Sequence, residues 1–197
     1  MGLLVLVVAL VLSSAPAAMA QNQGSGIKGG VNFAELDIDP GDFDFFERRT
    51  GLVAGVFFVL PVAPHFSIQP EALYSQKGAK VEEADGGGTL KLDYFDIPIL
   101  ARWDSSNSGE ARFNVFAGPS FNFRIRARQD IDGENNDISA DIERFDLGIV
   151  FGAGVEFGKF LIDGRSQLGL RPVNKFRDEE GFEAKNRSFS LMGGFRF

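Results

Sequence analysis

The sequence predicts an all-β fold, an eight-stranded antiparallel up-and-down transmembrane barrel, and three observations carry that expectation. Apolar residues alternate with small or charged ones along eight segments, a period of two that fits strands and not helices. The gaps between those segments alternate long and short, as in an up-and-down barrel whose loops differ at the two ends. Glycine makes up 24 of 197 residues, about 12% against a usual ~7%, and 21 Phe outnumber one Trp and two Tyr. That balance favours tightly curved sheet over a helix bundle. Hydrophobic residues at 44% and charged residues at 24% allow a real core.

The chain opens on an unbroken apolar run, Leu3 to Leu12, followed by Ser13, Ser14 and Pro16 and then the small-residue ending Ala18-Met19-Ala20. That is the pattern of a secretory signal peptide, although no Lys or Arg precedes the run. The run is far shorter than the ~20 apolar residues of a spanning helix. Residues 1–20 are therefore expected to be a cleaved signal peptide, and residues 21–197 an exported barrel domain bound for the outer membrane. Zero cysteines exclude a disulfide framework and thiolate chemistry. A net charge of −7 without a basic cluster excludes a general nucleic-acid binder.

The predicted strands are Gly26 to Leu36, Thr50 to Leu60, Phe66 to Lys77, Leu90 to Trp103, Arg112 to Arg126, Arg144 to Phe157, Phe160 to Arg171 and Arg187 to Phe197. The sixth is the cleanest. Phe145, Leu147, Ile149, Phe151, Ala153, Val155 and Phe157 share one face, against Asp146, Gly148, Val150, Gly152, Gly154 and Glu156. Around Asp93 to Asp96 the apolar phase slips, which predicts a bulge there. The gaps are 13, 5, 12, 8, 17, 2 and 15 residues long. The short ones carry turn chemistry in Pro61 and Pro64, in Asp104 to Gly109, and in Gly158-Lys159. Both termini then lie at the periplasmic end.

Alternation alone does not say which face meets water, because a soluble lipocalin-like barrel turns its apolar face inward around a hydrophobic ligand. Charges of both signs deep in the strands favour the membrane reading. Lys28, Glu71, Arg102, Arg124, Glu156, Asp163, Arg165 and Arg196 fall on the glycine-rich face. Eight strands enclose a lumen just wide enough to be filled by side chains, so these eight are expected to form a charge-paired lumen network. Large aromatics near strand ends, among them Phe33, Phe66, Tyr74, Trp103, Phe113, Phe123, Phe145, Phe157 and Phe160, fit interfacial girdles. The chain also stops in mid-strand at Phe197.

Four motifs add a resemblance: Gly26 to Ala34, Gln69 to Gly78, Tyr94 to Arg102, and Phe116-Ala117-Gly118-Pro119. Together they resemble the outer-membrane β-barrel proteins of the PorT-like family, and the chain is similar more broadly to OmpA- and OmpX-like small barrels. The resemblance implies that Phe197 is the recognition mark for the outer-membrane assembly machinery. It implies no single activity.

The residues offer little chemistry, and the protein is expected to be neither an enzyme nor a cofactor carrier. The lone histidine, His65, follows Pro64 in a predicted turn, and nothing pairs it with a nucleophile. The longest outer gap holds Asp130, Asp132, Glu134 and Asp137, a weak candidate set for Ca²⁺. Against an EF-hand template the sixth position is Asn135 and the twelfth Asp141, so the match fails. Acidic residues recur in the other long gaps, at Asp37, Asp39, Asp42, Asp44, Glu82, Glu83, Asp85, Asp178, Glu179, Glu180 and Glu183. They predict contact with lipopolysaccharide through divalent cations, and a surface for an extracellular partner. The function expected is a structural or surface-interaction barrel with a filled lumen. A small passive pore is the alternative within the membrane, and the lipocalin-like binder the alternative outside it.

Overall fold

Strands of this composition can satisfy their backbone in an apolar medium only by closing on one another, and the chain does close. The computed structural model describes residues 24–39, 46–81, 88–105, 111–131, 134–138, 142–171 and 183–197. Among them are nine strands: β1 (Gly24–Asp39), β2 (Phe46–Ala63), β3 (Phe66–Val81), β4 (Gly88–Asp104), β5 (Ala111–Ile131), β6 (Glu134–Asp137), β7 (Phe145–Phe157), β8 (Phe160–Gly169) and β9 (Glu183–Arg196). Every neighbouring pair is antiparallel, and β1 pairs with β9 from Gly26↔Arg196 to Asp39↔Glu183. Eight strands thus form a closed barrel, the predicted architecture. The ninth, β6, is a short strand paired only with the end of β5. Phe197 N–H donates to the Ser25 carbonyl at 2.9 Å, fastening the chain ends at the rim that carries the tight turns.

The strands run longer than the apolar pattern indicated, and the extra length lies at the loop end. Asp37 and Asp39 belong to β1 and Glu183 to β9, so these three are strand residues rather than loop residues. The longest predicted gap contains the β5–β6 hairpin for the same reason: polar residues continue a ladder once neighbouring backbone is aligned to receive it. At the opposite end the turns are tight. Pro64-His65 joins β2 to β3, with His65 at φ 67°, and Gly158-Lys159 joins β7 to β8, with Gly158 at φ 58°. Left-handed backbone of this kind suits a short hairpin connection.

The predicted bulge lies on the other strand. In β4 the alternation is unbroken, with Leu92, Tyr94, Asp96, Pro98, Leu100 and Arg102 all buried inside. The irregularity falls on β5, where Asp93 faces Arg126 but Tyr94 faces Arg124, leaving Ile125 as the extra residue. The apolar phase slips in the sequence because Leu92 and Tyr94 are apolar yet point inward.

Outside, the wall is apolar. Leu52 is 60% exposed, Phe113 63% and Phe160 65%, with Ile27, Val56, Ile149, Phe151 and Leu191 also exposed. An apolar surface this continuous is not sustained in water, so the soluble lipocalin-like alternative fails: the apolar face points outward. Two aromatic belts bound the wall. Tyr74, Phe95, Phe123 and Phe145 are successive register partners across β3, β4, β5 and β7. Phe157, Phe160 and Phe195 align at the turn end, as do Phe66 and Trp103. The eight residue-to-residue steps of β3 from Phe66 to Tyr74 rise roughly 20 Å at ~3.3 Å per step and a ~40° tilt, close to the ~25 Å apolar band of such barrels.

Leu191 lies on the outer face between these belts. Replacing Leu191 by Arg should cost about 2–4 kcal/mol of stability in lipid vesicles, read from denaturant unfolding. A cost near zero is incompatible with a lipid-facing Leu191.

Candidate functional site

The inner face is the other half of the same period-two pattern, and it brings together residues from all eight barrel strands. Glu71 of β3 is its hub. Lys28 Nζ of β1 lies 2.6 Å from Glu71 Oε1, and Arg165 Nη1 of β8 lies 2.6 Å from Oε2. Gln69 Nε2 donates to Glu71 Oε1 at 2.6 Å. Asp163, two residues before Arg165, accepts from Arg165 at 3.1 Å and pairs with Lys28 at 3.3 Å. The Arg165 guanidinium also covers the Phe116 ring at 4.8 Å, an arrangement favourable for a desolvated cation.

A second cluster lies nearer the turn end and is wired to the first. Arg102 of β4 reaches Gln69 Oε1 at 2.9 Å, Glu156 Oε1 of β7 at 2.5 Å and Asp104 Oδ1 through Nε at 3.0 Å. Glu156 also receives Arg112 of β5, and Arg196 of β9 at 3.3 Å. Five cations therefore meet four carboxylates in one connected network crossing the lumen. Each strand contributes through alternate positions, so the register of the closed sheet fixes the pairing.

Glycine makes the room. A Cβ on Gly152 would lie 2.8 Å from both the Phe116 ring and Arg165 Cβ, and one on Gly194 would lie 2.8 Å from Lys28 Cβ. Apolar side chains fill most of what remains, with Phe57, Val59 and Leu161 in one cluster and Leu100, Phe116 and Val150 in another. A void of about 10 Å³ between Lys28, Gln69, Arg102, Asn114, Glu156 and Asp163 is the size of a single water.

Of the eight lumen charges expected from sequence, Lys28, Glu71, Arg102, Arg124, Glu156, Asp163 and Arg165 are buried on the inner face, and Arg196 is half-buried at the mouth. Arg124 sits at the loop end, where its Nε donates to the Glu143 carbonyl and Nη2 to that of Ile142, both at 3.1 Å. It fastens the segment after β6 across the barrel mouth. There Ile138 and Ile142 pack against Leu92, Tyr94 and Ala127, forming an apolar stopper.

Sequence reasoning missed a third polar cluster under that stopper. Lys77 Nζ lies 2.9 Å from Asp96 Oδ2 and 5.0 Å from the centre of the Tyr94 ring. Asn186 Nδ2 donates to the Tyr94 hydroxyl at 3.1 Å and to Asp146 Oδ2 at 3.2 Å. The signal was present. Lys77 is six residues after Glu71 and Asp96 six before Arg102, both even separations and hence the same face. Arg112 and Asp104 likewise read in the sequence as a strand end and a turn, yet they complete the Glu156 cluster.

The remaining candidates are placed as follows. His65 is exposed, its Nδ1 lying 3.0 Å from the Asp104 carbonyl oxygen, with the Trp103 ring 6.5 Å away. Asp130 pairs with Lys91 at 2.8 Å. Glu134 and Asp137 are strand residues of β6 by backbone, and Asp132 lies outside the described residues, as do the acidic residues at 42, 44, 82, 83, 85 and 178–180 and the segment 1–20. Among the described residues, no group of three or more His, Asp or Glu side chains is placed to hold a metal ion.

Comparison with known proteins agrees with this geometry. No curated protein matches the chain by sequence. Among solved structures, Neisserial surface protein A is 13% identical and superposes with a TM-score of 0.51 over 88% of this chain and 97% of its own. The outer membrane protein OprG of Pseudomonas aeruginosa is 9% identical, with a TM-score of 0.51 over 88% and 95%. At such identities the likeness is one of fold. The sequence family described as outer membrane protein beta-barrel domain matches residues 19–175. With a lipid-facing wall, two aromatic belts and a closed antiparallel sheet already in place, that match makes the chain a member of the outer membrane β-barrel domain family, an integral barrel of the outer membrane.

Proposed function

We propose that this barrel is a closed, non-enzymatic element of the outer membrane, with a structural role in the wall and an interaction role at its outer surface. One observation carries the reading: the Glu71-centred network spans the lumen from β1 through β3 to β8, above a second network joining β4, β5, β7 and β9 through Glu156. A path for ions would have to break these pairs, and each carboxylate in them holds at least two donors. The apolar stopper at the outer mouth adds a second barrier. A lumen so filled acts as a cross-brace, tying distant strands to one another inside a wall that the lipid cannot brace.

On the same footing we assign residues 1–20 to a cleaved export signal, Phe197 to recognition by the barrel assembly machinery, and the chain to the PorT-like members of its family. The Phe197 ring is 67% exposed and packs edge-on against Phe195 at 5.9 Å, an accessible mark at the end of the closing strand. The acidic outer segments remain the surface proposed for an extracellular partner and for cation-bridged lipopolysaccharide. A passive pore is the second reading, favoured by a basin of about 290 Å³ at the periplasmic mouth, lined by His65, Arg112 and Arg196. That basin ends on the Glu156 cluster.

Three measurements bear on this. Single barrels reconstituted into planar bilayers should give no steps of nanosiemens size, and such steps would hand the function to the pore reading. Glu71→Gln should destabilise the barrel by about 3 kcal/mol or more, because Lys28 and Arg165 are left sharing Asp163. The double variant Glu71→Gln/Arg165→Gln should lose clearly less than the sum of the singles, since Lys28 and Asp163 still balance. Additive losses would mean the pair is uncoupled and the brace fictitious. Finally, His65→Ala should leave cellular lipid composition unaltered, and an altered acyl pattern would reopen the case for an enzyme.

A further inference from the structure

We propose that Lys77 and Asp96 form an autocatalytic isopeptide cross-link between β3 and β4, with Asn122 and Asp146 assisting the reaction. The observation behind it is a concentration of unanswered polar groups. Among the described residues, four buried side-chain atoms have no hydrogen-bond partner: Lys77 Nζ, Asp96 Oδ1, Asn122 Nδ2 and Asp146 Oδ1. Buried polar atoms are nearly always paired, and these four belong to one cluster. Asp96, Asn122 and Asp146 are successive register partners on β4, β5 and β7, level with the outer aromatic belt. Lys77 enters the row from β3, with Nζ 2.9 Å from Asp96 Oδ2.

The pair differs from the other buried ion pairs of the lumen. Glu71 shares its charge among Lys28, Arg165 and Gln69. Lys77 is the one cation within ion-pair distance of Asp96 among the described residues, and although the two groups touch, the contact is not aligned as a hydrogen bond. The Asp96 carboxyl carbon is one bond from the oxygen that the amine touches, so little motion separates contact from attack. Gly78, at φ 125°, interrupts the alternation of β3, and Lys77, Gly78 and Ala79 are all buried. An irregularity of this kind re-aims a side chain. The Tyr94 ring covers the amine with its centre 5.0 Å from Nζ, and Ile138 and Ile142, packed against Leu92 and Tyr94, close the cluster toward the outer mouth.

The reaction balances without a co-reactant. A proton passes from Lys77 Nζ to the Asp96 carboxylate, leaving an amine and a carboxylic acid. The Nζ lone pair attacks Cγ, the N–C bond forms, and the carbonyl electron pair moves onto oxygen, where Asn122 Nδ2 is the donor that receives it. The Asn122 amide is oriented for this, because its Oδ1 accepts from Ser120 at 2.7 Å and from Gln167 at 3.0 Å. Asp146 Oδ1 takes a proton from the nitrogen and returns it to the departing hydroxyl, so that the C–O bond breaks and water leaves. Asn186 fixes Asp146 Oδ2 at 3.2 Å, and both Lys77 and Asp96 act on this carboxylate electrostatically. Two buried charges become one neutral amide, which removes the cost of keeping them from water. The new N–H and C=O take Asp146 Oδ1 and Asn122 Nδ2 as partners, and all four atoms are answered.

The test is peptide mapping by mass spectrometry of the barrel purified from outer membranes, unfolded and digested with trypsin. A cross-link yields one species in which Thr50–Lys80, uncleaved after Lys77, is joined to Leu92–Arg102, lighter than the two together by one water. Lys28 and Glu71 should stay unlinked in the same digest. Separate Thr50–Lys77 and Leu92–Arg102 peptides with no joined species, from barrel whose fold is verified by migration without boiling, would overturn the proposal and leave an ordinary ion pair. Chain refolded from urea should begin unlinked and acquire the link as the barrel closes, and Lys77→Met/Asp96→Leu should never form it. Asp146→Asn should slow linking by about a hundred-fold or more, and a parent-like rate would overturn the part assigned to Asp146. Should Asp146→Asn fail to fold, Asp146→Ser takes its place; the parent digest needs no variant to decide the cross-link.

Discussion

A strand placed in hydrocarbon has no water to satisfy its backbone, so every N–H and C=O must be answered by another strand. The pairing of β1 with β9 is where this chain meets that requirement, along fourteen register pairs from Gly26↔Arg196 to Asp39↔Glu183. Closure with eight strands leaves an interior only as wide as side chains. The inner positions of every strand must therefore be chosen together: a long side chain from one strand needs a glycine opposite, and a charge needs a counter-charge from a strand far away in sequence. Lys28 and Asp163 are 135 residues apart, yet they share Glu71 and Arg165 as neighbours. No water layer stands between them to soften a mismatch.

The same constraint explains why the polar interior is arranged in clusters separated by apolar packing. Val53, Leu73 and Met192 lie between the Glu71 network and the Lys77–Asp96 pair. The Glu71 and Glu156 clusters, joined through Gln69, are thereby set apart from the Lys77–Asp96 pair. Burial of ion pairs is seldom a net source of stability, so the network is better understood as selecting one register and one closed shape. A one-residue slip of any strand would turn its charges into the lipid and its apolar residues into the lumen.

Most of the architecture was legible because the wall has two very different solvents. Arg144 to Phe157 reads clearly since every residue of its lipid-facing phase is apolar, whereas its lumen phase is small or charged except at Val150. Legibility fails where the lumen itself becomes apolar. Leu92 and Tyr94 point inward beneath Ile138 and Ile142, and judged by polarity alone they look like outward residues displaced by a bulge. It fails again beyond the membrane, where both faces meet water and period two loses its meaning. For that reason the outer ends of β1, β5 and β9 and the whole of β6 read as loop in the sequence. For the site, parity carried more than polarity: Lys77 and Asp96 share the phase of Glu71 and Arg102. Which acid meets which base depends on strand stagger, and a single strand's pattern holds no record of that.

Strand β8 shows both faces of the wall at once. Its inward residues Asp163 and Arg165 are long and charged, and each is held by partners on other strands. Its outward residues Gly164 and Ser166 are small, between the ridges of Phe151 on β7 and Phe189 on β9. The inner residues require nothing of the outer ones, because successive side chains leave the strand on opposite sides. A strand facing bulk lipid gains most by presenting large apolar groups, as Ile149 and Phe151 do on the neighbouring β7. Gly164 and Ser166 forgo that gain, and between the rings of Phe151 and Phe189 they leave a hollow in the outer wall.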